Sequence, residues 1–180
     1  LLVEIVLALG LPDEANVVDL GTGSGCIAIT LALERAAWRI TAIDLSQPAI
    51  GVARGNAEKW QAHNVTFHHG SWFSAVPEQR FDLIVSNPPY VAVGDPHLDA
   101  LRFEPMPALV AESKGLACLQ AIIEGAPSHL VPGGFLVLEH GHDQADAVRD
   151  LLTTHGWCDV RTQADFASIE RVTLARTAVV

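Results

Sequence analysis

Asn16-Val17-Val18-Asp19-Leu20-Gly21-Thr22-Gly23-Ser24-Gly25 decides the fold. A short apolar run passes into three alternating glycines and then straight into a helical stretch from Cys26 to Arg35. Glycine adopts positive φ freely and lets a ligand come close to the backbone. The helix start beyond it offers unpaired N–H groups to a carboxylate or phosphate. A strand, a tight glycine turn and a helix in succession open a βαβ unit. The turn is not a P-loop, because no Gly-Lys-Ser/Thr follows, and the dinucleotide pattern G-x-G-x-x-G fails where Cys26 takes the place of the third glycine.

Outward from this turn, strands and helices alternate. A helix is expected from Leu1 to Leu9, with Leu2, Ile5, Val6 and Leu9 on one face. A second strand, Trp38 to Asp44, precedes Ser46, a fitting N-cap for a helix from Pro48 to Trp60. Further strands are read at Val65 to His69 and Phe81 to Ser86. Residues 91–111 read as a Pro-rich loop, followed by a helix from Gly115 to Leu130. Pro132-Gly133-Gly134 reads as a turn into a strand from Phe135 to His140, followed by a helix from Asp143 to His155. The strands Trp157 to Gln163 and Glu170 to Thr177 complete the chain.

This alternation predicts an α/β fold with a parallel sheet covered on both faces. Such sheets bind ligands beyond the carboxyl ends of their strands. The glycine turn, Asp44, Ser71-Trp72 and Asn87-Pro88-Pro89-Tyr90 should therefore share one rim. Asp44 ends a strand 23 residues after Gly21, where a carboxylate either accepts both ribose hydroxyls of an adenosine ligand, the preferred reading, or is a helix N-terminal acid paired to the dipole. Asp19 either holds the ligand's amino group or braces the loop. Trp72 either stacks on adenine or belongs to the core. The diproline after Asn87 stops its strand, because each proline lacks an N–H and fixes φ. It leaves an amide, free carbonyls and a ring together at one strand end, a pattern that an ordinary turn also produces.

His140 and His142, beside Glu139, alternate along a strand and so point to opposite faces. They do not suit one metal ion, and the same holds for His68 and His69. No metal is expected. Glu104 follows the central motif in the Pro-rich loop and either faces the rim, the preferred reading, or is simply solvated.

The 180 residues suit one domain, with 49% apolar and 18% charged residues. The formal net charge of −10, from 11 basic and 21 acidic residues, repels phosphate backbones and makes a nucleic-acid partner unfavourable. Cys26, Cys118 and Cys158 lie far apart, which suits a reducing cytoplasm and neither a disulfide framework nor a zinc site. No apolar run is long enough to span a bilayer. The chain begins at Leu1 rather than methionine and reads as a segment of a longer protein.

Asp19-Leu20-Gly21-Thr22-Gly23-Ser24-Gly25, Asp44 and Asn87-Pro88-Pro89-Tyr90 together resemble the class I S-adenosylmethionine-dependent methyltransferases of the Asn-Pro-Pro-Tyr type. These enzymes methylate amino nitrogens of adenine, of guanine or of protein glutamine. Arg102-Phe103-Glu104-Pro105, Gly115-Leu116, Pro132-Gly133-Gly134, Glu139-His140-Gly141 with Gln144, and Glu170-Arg171-Val172 resemble more narrowly the release-factor glutamine methyltransferases, the HemK/PrmC family. The resemblance runs over nearly the whole chain. It implies a Rossmann-like, seven-stranded, mostly parallel sheet with helices on both faces and an antiparallel last strand.

The resemblance further implies S-adenosylmethionine as cofactor, with S-adenosylhomocysteine as product. The cofactor would meet Asp19, Gly21, Thr22, Gly23, Gly25, Asp44, Leu45, Ser71, Trp72 and Asn87. Catalysis and substrate binding would fall to Asn87, Pro88, Pro89 and Tyr90, with Glu104 also on the substrate. The partner would be a class I peptide-chain release factor in the cytoplasm, methylated on the glutamine of its Gly-Gly-Gln loop. Residues 1–180 would form the catalytic domain, and the family's N-terminal helical recognition domain would precede Leu1. A ribosomal-protein glutamine methyltransferase, a nucleic-acid amine methyltransferase and a non-catalytic adenosine-binding module are the alternatives.

Overall fold

The computed structural model describes residues 1–89, 91–92, 110–111 and 116–179. In chain order its elements are α1 (Leu2–Ala8), β1 (Asn16–Leu20), α2 (Cys26–Glu34), β2 (Arg39–Asp44), α3 (Gln47–Trp60), β3 (Val65–His69) and β4 (Phe81–Ser86). Then follow β5 (Val91–Ala92), β6 (Val110–Ala111), α4 (Ala117–Gly125), β7 (Leu130–Glu139), α5 (Ala145–Thr154), β8 (Cys158–Ala164) and β9 (Glu170–Arg176). Seven strands form one sheet in the order β3-β2-β1-β4-β7-β9-β8, and β5 and β6 pair separately.

β1, β2, β3, β4 and β7 run parallel, whereas β9 is antiparallel to both β7 and β8. All five parallel strands therefore end on one rim. Their apolar character follows from burial on both faces: Val17, Val18, Leu20, Leu83, Ile84 and Val85 are fully buried. Val17, Leu83 and Val85 meet α1 and α2 on one side, and Val18, Leu20 and Ile84 meet α4 and α5 on the other.

The expected architecture is present, with local differences. The helix expected from Gly115 to Leu130 is α4 only as far as Gly125, then a 3-10 turn from Ala126 to His129. Pro127 has no N–H to continue the α-helical ladder. The turn also places His129 flat against Phe73, with ring centroids 4.4 Å apart. Pro132-Gly133-Gly134 is not a turn before β7 but lies inside it. Gly133 adopts φ +74° there, and the pairing with β4 shifts register between Phe81 and Leu83. A bulge absorbs the proline and glycines without ending the strand.

The region expected to be a loop, 91–111, contributes the paired β5 and β6; Glu104, like Tyr90, lies outside the described residues. Among the described residues, no helix is long and apolar enough to cross a membrane.

Candidate active site

The rim is assembled around the glycine turn. Gly21, Gly23 and Gly25 have φ of +73°, +56° and +83°, which explains glycine at each. The amides of Gly21 and Thr22 both donate to the Ile43 carbonyl at the end of β2, at 2.8 and 3.0 Å. A Cβ on Gly25 would lie 2.8 Å from Ile29 Cδ1 and 3.1 Å from Ala53 Cβ, so α2 and α3 close tightly there. A Cβ on Gly23 would meet nothing within 4 Å, so the backbone at Gly23 is open to a ligand.

Asp44 fastens this turn. Its Oδ2 accepts the Gly23 N–H at 2.8 Å and its Oδ1 accepts the Ser46 N–H at 2.8 Å. The carboxylate thus holds the open backbone of the turn while each oxygen keeps a further lone pair. Leu45 beside it is 70% exposed, and its carbonyl meets His69 Nε2 at 2.9 Å. Asn56 reaches from α3 to donate to the Ser24 carbonyl at 2.9 Å. Ser46 is the N-cap expected for α3, whereas Asn56 and His69 carry no motif that marks these contacts in the sequence. Their partners come from loops, and only the fold brings them together.

Asp19 braces the loop: its Oδ2 accepts from Thr22 Oγ1 at 2.7 Å and from the Ala28 N–H at 3.2 Å. Its Oδ1 is buried and has no hydrogen-bond partner among the described residues. Burial pushes the carboxyl from its ordinary 3.8 up to about 6, against the pull of those two hydrogen bonds and with a small push from Asp44. An orphaned buried acceptor beside open glycine backbone and a ribose-type carboxylate fits a ligand with a cationic or amino group and a ribose.

The Asp19 shift has a measurable consequence. A carboxyl whose folded pKa lies above its unfolded value holds more protons when folded. Its favourable contribution is full below about pH 4 and is lost as pH rises through about 6. Asp19→Asn keeps an oxygen for Thr22 and Ala28 but does not titrate. Relative to the wild type, the variant should gain up to about 3 kcal/mol of stability between pH 4 and 7. Urea denaturation of both proteins across that range measures the gain. A stability difference that does not change with pH contradicts the assignment.

Trp72 follows β3 with φ +45°, a conformation that costs a non-glycine residue about 1–3 kcal/mol. Ser71 and Ser74 hold it in a reciprocal capping box. Its ring packs partly on the core and partly over the glycine turn: a Cβ on Gly21 would lie 3.6 Å from Trp72 Cζ3. The ring thus belongs partly to the core and also borders the turn.

At the end of β4, Ser86 Oγ donates to the Leu20 carbonyl at 2.6 Å, tying this strand end to the glycine turn. Asn87 is exposed, Pro88 buried and Pro89 half-buried. The Asn87 side chain makes no hydrogen bond among the described residues, so its amide is available at the rim.

One strand further along, Leu138 pairs with Ser86, which brings Glu139 and His140 to the same edge. Burial raises the Glu139 carboxyl pKa, opposed by Arg171. His140 is fully buried; Nε2 lies 2.9 Å from Thr173 Oγ1 and Nδ1 3.0 Å from the Gly141 carbonyl. Burial lowers its pKa. His140 is a structural link between β7 and β9, in keeping with the ordinary placement expected for it.

The rim thus brings together Asp19, Gly21, Thr22, Gly23, Gly25, Asp44, Leu45, Ser71, Trp72, Asn87, Pro88 and Pro89. A cavity of about 490 Å³ at the opposite edge of the sheet, lined by Asn16, Arg39, Thr41, Thr66 and Arg80 among others, includes none of them.

A glycine turn, a carboxylate at the end of β2 and a reversed strand beside β7 define the class I methyltransferase fold. Solved structures agree: a methyltransferase from Pyrococcus furiosus matches with TM-score 0.73 at 19% identity, over 98% of this chain and 81% of that one. A ribosomal protein L11 methylase from Lactobacillus delbrueckii subsp. bulgaricus matches with TM-score 0.70 at 20% identity, over 98% and 75%. The chain belongs to the methyltransferase small domain family, whose model matches residues 1–103. It is also similar to release factor glutamine methyltransferases. The one from Neisseria gonorrhoeae is 50% identical over 97% of this chain and 65% of its own length. The one from Xylella fastidiosa strain Temecula1 is 50% identical over 91% and 60%. The chain spans about two thirds or less of the length of these relatives.

Proposed function

We propose that this chain is the catalytic domain of an S-adenosylmethionine-dependent methyltransferase that methylates N5 of the glutamine in the Gly-Gly-Gln loop of class I peptide-chain release factors in the cytoplasm. The observation that carries the reading is the exposed Asn87 amide, unpaired among the described residues, followed by two prolines and tied through Ser86 to the glycine turn. The relatives' names supply the substrate. A helical domain preceding Leu1 would complete substrate recognition, and no membrane or nucleic acid takes part.

S-adenosylmethionine supplies an electrophilic methyl group on a sulfonium. Gly21, Thr22, Gly23 and Gly25 would border it, Asp44 would accept its ribose hydroxyls, and the free Asp19 oxygen would serve its amino group. Leu45, Ser71 and Trp72 would enclose the adenine, with Asn87 at the methyl end. A glutamine amide nitrogen is a weak nucleophile, because its lone pair is delocalised into the carbonyl. Asn87 Oδ1 and the Pro88 carbonyl would each accept one of its N–H groups, turning the lone pair towards the methyl carbon. The same two acceptors stabilise positive charge as it develops on nitrogen. Tyr90 would pack on the planar amide and Glu104 would contact the substrate. The diproline limits backbone freedom, so the acceptors stay in place between turnovers. The methylated nitrogen then sheds its extra proton to water, and no strong base is needed.

Incubating the full chain with labelled cofactor and, separately, with a release factor, ribosomal protein, RNA or DNA tests the reading. Label on the release factor alone is expected. Label on nucleic acid and none on the factor contradicts it, because the clamp would then serve an exocyclic base amine.

A further inference from the structure

The turn between β8 and β9 holds an aromatic ring wholly in water: Phe166 is 100% exposed, with Ile169 on the same turn at 37%. The turn is nonetheless closely fixed. Asp165 Oδ1 accepts the Ala167 and Ile169 amides at 2.8 and 3.0 Å, and the Asp165 N–H donates to the Ile169 carbonyl at 2.8 Å. Arg171 Nε lies 3.5 Å from Asp165 Oδ2. The Asp165 carboxyl pKa is lowered, first by its hydrogen bond from Ile169.

The position is specific. β9 pairs with β7 so that Val172 faces Glu139, and the His140 N–H donates to the Arg171 carbonyl at 2.9 Å. The turn before β9 therefore projects from the rim that carries Asn87, on the side away from the Asp44 end. β9 lies two strand spacings, about 10 Å, from β4. Beside it four carboxylates share two cations: Arg149 pairs with Asp146 and Glu170, and Arg171 faces Asp165 and Glu139. A rigid aromatic loses little conformational freedom on docking, which is how binding hot spots are built.

We infer that Phe166, with Ile169 beside it, is a docking anchor for the body of the protein that carries the acceptor glutamine. It would enter an apolar pocket edged by basic side chains, away from the glutamine loop itself. The inference rests on the function proposed above.

Steady-state methylation by the full chain and its Phe166→Ala variant tests it, on an intact release factor and on a short peptide carrying only the glutamine loop. The variant should show a KM for the intact factor raised about tenfold or more, with kcat unchanged, and the same kcat/KM as wild type on the peptide. Phe166→Leu should recover part of the loss, and Tm should not fall, because the ring touches no core. An unchanged KM on the factor overturns the inference, as does an equal loss on both substrates. A dimer that the variant abolishes would show that the ring serves self-association instead. A wild-type chain that leaves the factor unlabelled refutes the proposed function, and the inference with it; normal labelling with equal KM refutes the inference alone.

Discussion

Asn87→Ala should lower kcat about 10²–10³-fold on the release factor while leaving S-adenosylhomocysteine affinity within about twofold. The residue stands exposed at the end of β4, with no hydrogen bond among the described residues. Removing its amide therefore costs the fold little. It removes one of two proposed acceptors for the substrate's N–H groups, and with it the orientation of the nitrogen lone pair. Loss of an interaction made mainly in the transition state lowers kcat and kcat/KM together. Asn87→Asp should not restore the rate fully, because a carboxylate facing a sulfonium competes for the methyl group's charge. Single-turnover rates at saturating cofactor, with calorimetric titration of S-adenosylhomocysteine, separate the effects. A cofactor affinity that falls as far as kcat would place Asn87 on the cofactor rather than on the acceptor amide.

Asp44→Ala should act in the opposite order, weakening S-adenosylhomocysteine about 100-fold while kcat at saturating cofactor falls less than about tenfold. The carboxylate accepts the Gly23 and Ser46 amides, each at 2.8 Å. Alanine leaves both amides without it and frees the turn whose open face would border the proposed cofactor. Hydrogen bonds to a charged group are worth about 1.5–3 kcal/mol each, so losing the proposed ribose contacts and the tether together accounts for the expected weakening. Asp44→Asn keeps one acceptor oxygen and should fall between the two. Calorimetry on the three proteins measures the series. A kcat loss exceeding the loss of affinity would contradict the division of labour between β2 and β4.

Much of this was legible from residue order because the relevant signals are local. Alternating glycines after an apolar run have one economical conformation, and their φ values match it. Prolines after Asn87 end a strand by chemistry alone. Strand direction then follows from the βαβ connections, which places Asp44 and Asn87 on one rim without any contact having to be known.

Signals that depend on distant partners were not legible. Pro132-Gly133-Gly134 has the composition of a turn, yet pairing with β4 on either side of it and backbone bonds of Gly133 and Gly134 to Ala178 and Thr177 hold it inside β7. Asp19 had two roles open, and only the positions of Thr22 and Ala28 show that one oxygen braces the loop while the other stays free. The sequence does not announce that Trp72 packs partly on the core with φ +45° and its ring beside Gly21. Asn56 and His69 act through the Ser24 and Leu45 carbonyls, which no residue pattern announces.

The central claim is that Asn87 and Pro88 clamp a glutamine amide for methyl transfer. Fragment mass spectrometry of an intact release factor, after incubation with the full chain and S-adenosylmethionine, tests it most directly. The predicted result is one added methyl on the side-chain amide nitrogen of the Gly-Gly-Gln glutamine, absent with the Asn87→Ala chain. A methyl on any other residue, or the same methyl at wild-type rate with that variant, would contradict it.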